Sequence, residues 1–126
     1  MVGIVLVSHS KKLAEGVKEF AEQMAPHAKV AAAGGLDDGT FGTSFERIKH
    51  GIESVNEGDG VLVIMDLGSA VMTTEMVIES LEEVKAEMVD CPFIEGAVAA
   101  IVVAACGEDL ENVKKAAENS KNTKKF

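Results

Sequence analysis

The residue best placed for chemistry is His9, which follows a short apolar run. In "IVLVSHSKKLAEG", residues 4 to 16, four apolar residues lead into Ser8-His9-Ser10 and a helical pattern starts at once. An imidazole at the end of a buried strand is held by a rigid element and faces a partner. It can then act as a nucleophile, an acid–base group or a metal ligand.

A second candidate is Asp66, which ends the strongest apolar strand, "GVLVIMD". In an open parallel sheet, ligands collect outside the carboxyl ends of the strands, so Asp66 and His9 are expected at the same edge. The carboxylate can accept a hydrogen bond from one ring nitrogen. That bond fixes the tautomer and leaves the lone pair of the other nitrogen exposed.

The loops at this edge suit an anion. Gly68 lets the chain pass close to a bound group, and helix amides near Ser69 would point at it. The pattern predicts a histidine that carries a phosphoryl group, with His9 and Asp66 as catalytic residues and no metal. The supporting candidates are Ser8, Ser10, Gly34, Gly35, Thr43, Gly68 and Ser69.

Structural explanations stay open for several of these residues. Asp66 can cap the following helix, and Thr43 or Ser44 can cap another. The glycine pair and the Asp37-Asp38-Gly39 segment can form an ordinary turn. His27 and His50 fit surface positions, and Met72 with Met76 fits the core better than a contact surface.

Strands and helices alternate along the chain, which predicts an α/β fold. The strands are expected at residues 4–7 and in "KVAAAGG", "GVLVIMD" and "KAEMVDC". They form an open, mainly parallel, four-stranded sheet with helices on both faces. The inward face of the first helix is predicted as Leu13, Val17, Phe20 and Met24. Residues 1–126 form one domain, with a tail that frays from about residue 120.

Composition limits the partners. Twelve Lys and Arg against 21 Asp and Glu give a formal charge of −9, which argues against nucleic acid or an anionic membrane as the main partner. No apolar run approaches a membrane span and the N-terminus does not resemble a secretory signal, so a cytoplasmic protein is expected. Cys91 and Cys106 fit reduced structural thiols, and no cofactor is expected.

Four motifs together resemble a known family: "LVSHS…LAEG", "AAGG…DDG..GTS", "VLVIMDLGSAVM" and "EGAVAA". In this order and spacing, over residues 1 to about 107, they are similar to the phosphotransferase subunits of the phosphoenolpyruvate-dependent dihydroxyacetone kinases. The core domain of those subunits belongs to the mannose-type enzyme IIA class of the sugar phosphotransferase system. The resemblance implies a cytoplasmic phosphocarrier and a homodimer.

The resemblance also implies partners and roles. The histidine-containing phosphocarrier protein would donate a phosphoryl group to His9, and ADP bound on a second kinase subunit would accept it. Asp66 maps to an aspartate beside the histidine, and Gly68 and Ser69 map to supporting groups. Some members carry fused phosphocarrier and enzyme I-like domains, which this chain lacks, so the donor would be another protein. Thr73 stands where an amide residue is common.

Other functions remain open at this point. One is a mannose-type enzyme IIA that serves a sugar permease. Another is a flavodoxin-like module that binds a nucleotide or small ligand, although no G-x-G-x-x-G or P-loop is present and the chain has no Trp or Tyr. A receiver domain would need carboxylates where Ser8-His9-Ser10 stand, and "VSHS" is not a nucleophile elbow of the hydrolase kind.

Overall fold

A four-stranded sheet, parallel throughout, forms the centre of the molecule in the computed structural model, which describes residues 1–126. The strands lie in the order β2-β1-β3-β4. Their bounds are β1 Gly3–Ser8, β2 Lys29–Gly34, β3 Val61–Met65 and β4 Ala86–Val89. The helices are α1 Lys11–Glu22, α2 Phe45–Val55, α3 Val71–Ser80, α4 Phe93–Ala105 and α5 Leu110–Asn119. The predicted α/β class, strand set and parallel sheet are confirmed.

The two central strands are apolar without interruption because helices cover both of their faces. Successive side chains of a strand point to opposite faces. Ile4 and Leu6 of β1 therefore pack with α1, α4 and α5, whereas Val5 and Val7 pack with α2 and α3. These two cores hold β1 and β3 rigidly side by side, and both strands end at the same edge.

Helix α1 does not bury the face that its apolar spacing predicts. Val17 is buried, but Leu13, Phe20 and Met24 are about half exposed. The buried stripe consists of small residues: Ala14, Val17 and Ala21. Small side chains let α1 lie close to the sheet, since a Cβ added at Gly34 of β2 would stand 2.5 Å from the Ser10 carbonyl oxygen. The close approach of α1 to β2 sets the orientation of this helix. The spacing of apolar residues along the sequence does not show such an approach.

The C-terminal segment stays regular beyond the point from which fraying was expected. After α5, which Asp109 caps, a 3-10 turn runs over Ser120–Asn122. Ser120 is buried and its hydroxyl donates to the Ala117 carbonyl, which anchors this turn. Within the segment that follows α5, residues 123–126 lack regular structure. Over the whole chain, every helix is too short or too polar to cross a membrane.

Candidate active site

The site lies where the direction of the strand order reverses. From β1 the chain moves outward to β2, then returns to place β3 on the other side of β1. Such a reversal opens a crevice at the carboxyl ends of the two central strands. His9 follows β1 and Asp66 follows β3, and the Asp66 amide donates to the Val7 carbonyl at 3.0 Å. The ladder between the central strands thus sets the two side chains side by side.

One carboxylate holds His9 by two bonds. The ring Nδ1 lies 3.0 Å from Oδ1 of Asp66, and the His9 backbone N–H donates to Oδ2, also at 3.0 Å. Because a carboxylate only accepts, Nδ1 carries the proton. The His9 side chain is 28% exposed and that of Asp66 only 11%. The less exposed aspartate therefore holds the Nδ1 side of the ring, and the opposite edge of the ring is exposed to solvent.

The environment of Asp66 keeps it ionised. Burial raises the pKa of this carboxyl, but bonds from the His9 amide, the Ser8 hydroxyl, the His9 ring and the Leu67 amide outweigh burial, so its net pKa lies below the ordinary value. The Leu67 N–H donates to Oδ1 at 2.7 Å. A carboxylate that accepts several bonds is stabilised in its charged form. Asp66 is thus a fixed negative charge beside Nδ1.

The outer nitrogen of the ring faces Ser69. Its Nε2 lies 3.0 Å from Oγ of Ser69, an exposed residue in the 3-10 turn Gly68–Ala70 that leads into α3. With the proton on Nδ1, Nε2 bears a lone pair and the serine hydroxyl donates to it. Asp66, His9 and Ser69 form one hydrogen-bonded line, whose unprotonated nitrogen lies at the surface.

The loop between β2 and α2 bonds to the backbone of His9 and to α3. The Gly42 amide donates to the His9 carbonyl at 3.0 Å. The Thr43 hydroxyl lies 3.2 Å from that of Thr73 on α3, so this pair joins the loop to α3. Thr73, to which sequence reasoning gave no role, is four residues after Ser69 and shares its helix face. That spacing is the signal that could have identified it.

The phosphoryl-supporting role expected for Gly34 and Gly35 stays a prediction, and both glycines have structural contacts. Gly34 is the last residue of β2, where it makes room for α1. The Gly35 amide already donates to the Ser8 carbonyl at 3.1 Å, and Gly35 adopts φ +71°, a conformation that favours glycine. Neither residue offers a donor to the ring, and the turn explanation holds for Asp37-Asp38-Gly39. The contacts of both glycines shape the loop.

Two of the serines also have other partners. Ser8 is fully buried, and its hydroxyl donates to Oδ2 of Asp66 at 3.0 Å. Ser10 caps α1, its Oγ accepting from the Leu13 amide at 3.2 Å. Ser44, which caps α2, leaves Thr43 free for Thr73. Among the supporting candidates, Ser69 alone has a hydroxyl on the His9 ring, and Gly68 beside it is open to solvent.

Three large apolar side chains on the loops and helix that carry the site are exposed. Phe41 is 80% exposed, Leu67 61% and Met72 74%. Met72 and Met76 therefore lie on the surface, contrary to the core position expected for them. A cleft of about 440 Å³ opens beside Asp66 between the ends of β3 and β4. His27 and His50 are exposed, as expected, and no three His, Cys, Asp or Glu side chains cluster as metal ligands would.

Comparison with known proteins places this arrangement in a family. Residues 3–114 match the EIIA-man family model, described as the PTS system fructose IIA component. The chain belongs to the EIIA-man family. The match spans both strands that carry the site, so His9, Asp66 and Ser69 all lie within the EIIA-man region.

Relatives of this EIIA-man chain include subunits of dihydroxyacetone kinases. The phosphoryl donor subunit DhaM of Escherichia coli (strain K12) is 44% identical over 120 residues. That match covers 90% of this chain but 25% of the relative, so the chain spans about a quarter of that protein. The phosphotransferase subunit DhaM of Lactococcus lactis subsp. lactis (strain IL1403) is 39% identical, with 92% of this chain and 93% of the relative covered. The resemblance to DhaM subunits is confirmed.

Solved structures agree with the EIIA-man fold. A crystal structure of a protein of unknown function has a TM-score of 0.86 to this chain at 34% sequence identity. The match covers 99% of this chain and 98% of that chain. The phosphotransferase system component EIIA from Streptococcus agalactiae has a TM-score of 0.72 at 17% identity, with 97% of this chain and 93% of that chain covered. At that identity the second likeness supports the fold alone.

Proposed function

We propose that this protein is a phosphocarrier that accepts a phosphoryl group on His9 from the histidine-containing phosphocarrier protein. It then passes the group to ADP bound on a partner subunit of dihydroxyacetone kinase. The observation that carries the proposal is the line Asp66–His9–Ser69, which presents an unprotonated Nε2 at the surface. A histidine that accepts a phosphoryl group needs this lone pair, and the bond to Asp66 directs it outward.

The transfer is a simple displacement. The lone pair of Nε2 attacks phosphorus, the Nε2–P bond forms, and the P–N bond of the donor's phosphohistidine breaks with its electron pair returning to the donor ring. Nδ1 keeps its proton, so the ring gains positive charge, which the ionised Asp66 at 3.0 Å stabilises. The Ser69 hydroxyl then loses Nε2 as its acceptor and donates its hydrogen bond to a phosphoryl oxygen instead. Positioning and charge stabilisation carry this reaction, so the chain itself requires no metal or cofactor.

The kinase partner follows from the relatives rather than from the pocket. Both DhaM relatives are named as subunits of dihydroxyacetone kinases, and the Lactococcus relative matches this chain over nearly its full length. Phe41, Leu67 and Met72, which lie close in the chain to residues of the site, are exposed apolar side chains that a partner protein could cover during direct transfer. We assign the ADP-bearing kinase subunit as acceptor and the cytoplasm as the compartment in which both partners work.

A homodimer is part of the proposal. Phe20 of α1, Met24 just after α1 and Ile94 of α4 are about half exposed around one groove of about 380 Å³. Monomeric proteins rarely leave a large contiguous apolar patch in water. Sedimentation equilibrium over a range of concentrations should give twice the mass of the chain. A single-chain mass at every concentration would contradict the dimer.

A second candidate acceptor is a sugar permease. The family description names a fructose IIA component, which favours a carrier for a sugar permease with the same chemistry at His9. The two functions share the donor step and differ only in what removes the phosphoryl group. Acceptor assays therefore separate them.

The test is a two-stage transfer assay. The protein is incubated with radiolabelled phosphoenolpyruvate, enzyme I and the histidine phosphocarrier, then mixed with the ADP-loaded kinase subunit. We expect alkali-stable label on the wild type, loss of that label on mixing, and no label on His9→Gln. His50→Gln, which changes an exposed histidine outside the site, is the matched control and should label normally.

Three outcomes would count against the proposal. An unlabelled wild type, with the donor shown competent on another carrier, would remove the phosphocarrier function. Label on His9→Gln would move the acceptor elsewhere. Label that the ADP-loaded subunit leaves in place, but that a permease domain removes, would establish the sugar carrier instead.

A further inference from the structure

The hydroxyl of Ser8 is a buried group that the transfer reaction does not touch. Ser8 is the last residue of β1 and is completely buried. Its Oγ makes two bonds, one to Oδ2 of Asp66 and one to the Ser10 amide, each 3.0 Å long. Both partners belong to the site or to the start of α1, so this hydroxyl joins the carboxylate to the rigid frame.

The chemistry of the two partners fixes the direction of both bonds. The Ser10 N–H can only donate, so it takes one lone pair of the Ser8 oxygen. The Asp66 carboxylate can only accept, so it takes the single Ser8 proton. The hydroxyl has no other orientation that satisfies both neighbours. Its proton is therefore directed permanently at Oδ2.

The Ser8 bond is one of four hydrogen bonds that are divided between the two carboxylate oxygens of Asp66. Oδ2 receives Ser8 and the His9 amide, whereas Oδ1 receives the His9 ring and the Leu67 amide. The ring Nδ1 lies 3.0 Å from Oδ1 but 3.4 Å from Oδ2. Without the Ser8 donor, Oδ2 would keep only the His9 amide, and the carboxylate could turn away from the ring. The bond from Nδ1, which favours the Nδ1–H tautomer, would then weaken.

We propose that Ser8 is a positioning residue that holds the Asp66 carboxylate so that Oδ1 takes the Nδ1 proton of His9 and Nε2 stays unprotonated. Its consequence for phosphoryl transfer rests on the proposed function. The role differs from direct contact with the phosphoryl group, which the complete burial of Ser8 prevents. It also differs from a merely structural role, in which Ser8 would only satisfy the Ser10 amide.

The first measurement concerns the wild type and needs no phosphoryl transfer. Nitrogen-15 NMR of the His9 ring at slightly alkaline pH reports which nitrogen bears the proton. We expect the Nδ1–H tautomer. A wild type in the Nε2–H tautomer would overturn the arrangement without any variant.

The second measurement compares three variants by the same NMR signal and by the rate of phosphoryl uptake. Ser8→Ala should give a mixture of tautomers and about tenfold slower uptake, because the carboxylate loses a donor to a charged group. Ser8→Thr keeps the hydroxyl on a residue that suits a strand, and should restore both. Ser120→Ala, which removes a buried serine hydroxyl bonded to the Ala117 carbonyl, is the matched control and should change neither.

The outcomes separate this role from the proposed function. A Ser8→Ala protein with the wild-type tautomer and uptake rate, whatever its stability, would reduce Ser8 to a structural residue. If Ser8→Ala does not fold, loss of the Nδ1–H tautomer in the folded Ser8→Thr variant would equally overturn the positioning role. A tautomer change in a protein that no competent donor phosphorylates would leave the positioning role standing and remove the phosphocarrier function.

Discussion

At the residue scale, the site depends on one carboxylate that accepts four hydrogen-bond donors. Three of these donors come from residues 8 and 9 of β1 and its loop, and the fourth is the next amide along the chain, that of Leu67. Asp66 is therefore both the orienting partner of His9 and a link between the ends of two strands. A change at this position affects transfer and stability together.

Asp66→Asn should slow phosphoryl uptake on the order of 100-fold, because the amide cannot stabilise the positive ring and can favour the wrong tautomer. It should also destabilise the fold by about 1–3 kcal/mol at pH 7, since the N–H₂ group replaces one of the two accepting oxygens and leaves two of the four donors without an acceptor. Urea unfolding and the labelling assay measure the two effects. Wild-type uptake would reduce Asp66 to a structural residue.

The pH dependence of this stability difference has a definite sign. The pKa of Asp66 is lowered by folding, so its contribution to stability is complete above the ordinary aspartate pKa of about 3.9 and is lost as pH falls through the lower folded value. The difference between wild type and Asp66→Asn should therefore shrink as the pH falls below about 3.9. A difference that grows below that pH would contradict the lowered pKa.

The two cysteines should differ in reactivity. Burial, with the nearby charges of Asp90 and Glu118, raises the pKa of Cys91 to about 11, whereas Cys106 is exposed. Only thiolates react quickly, so a thiol reagent at pH 7.5 should modify one cysteine per folded chain and both in urea. In Cys106→Ser the folded protein should stay unmodified. Rapid modification of that variant would show that Cys91 is accessible.

Sequence reasoning succeeded for the side chains whose position follows from topology. His9 and Asp66 end adjacent central strands, so the rule for the carboxyl edge of a parallel sheet placed them together. It did not separate Ser8, which is buried, from Ser69, which contacts the ring, because the sequence does not show which way a hydroxyl at the end of a strand faces. The Gly35 amide could not be judged either, since its acceptor, the Ser8 carbonyl, is 27 residues away in the chain and is found only in three dimensions.

At the element scale, the start of α1 packs closely against the end of β2. This contact fixes the short turn between β1 and α1 that carries His9. A Cβ added at Gly34 would lie 2.5 Å from the Ser10 oxygen and 2.8 Å from the Lys11 Cα, both backbone atoms. Backbone atoms cannot turn aside as a flexible side chain can. The apolar spacing of α1 pointed to Leu13, Phe20 and Met24 as its inward face, but the closeness of this contact favours alanines there. Periodicity predicts that a helix forms, whereas the sizes of the facing residues decide its rotation.

Gly34→Ala should therefore destabilise the protein by about 1–3 kcal/mol, because overpacking forces α1 away from the sheet. The matched control is Gly16→Ala within α1, where an added Cβ meets nothing within 4 Å. That change should stabilise by about 0.5–1 kcal/mol through helix propensity. Urea unfolding followed by circular dichroism measures both, and a neutral Gly34→Ala would show that α1 is not held against β2.

At the scale of the whole molecule, charge opposes the compact state. The chain carries a formal −9 on 126 residues, and like charges on a small folded protein repel one another. The same charge led sequence reasoning to disfavour nucleic acid as a partner, whereas the exposure of the apolar side chains of Phe41, Leu67 and Met72 emerged only from the fold.

Raising sodium chloride from 10 to 200 mM at pH 7 should stabilise the protein, since salt screens this repulsion more than it weakens the few exposed ion pairs. The expected gain is up to about 1 kcal/mol. Urea is the suitable denaturant because it is uncharged and leaves the ionic strength fixed. A loss of stability with salt would mean that attractive pairs outweigh the net charge.

The most direct test of the account is the position of the phosphoryl group on the phosphorylated protein. After reaction with phosphoenolpyruvate, enzyme I and the histidine phosphocarrier, nitrogen-15 and phosphorus-31 NMR at alkaline pH identify the residue and the ring nitrogen that carry it. The hydrogen bond from Nδ1 to Asp66 predicts phosphate on Nε2 of His9. Phosphate on Nδ1 of His9, or on any other residue, would contradict the account.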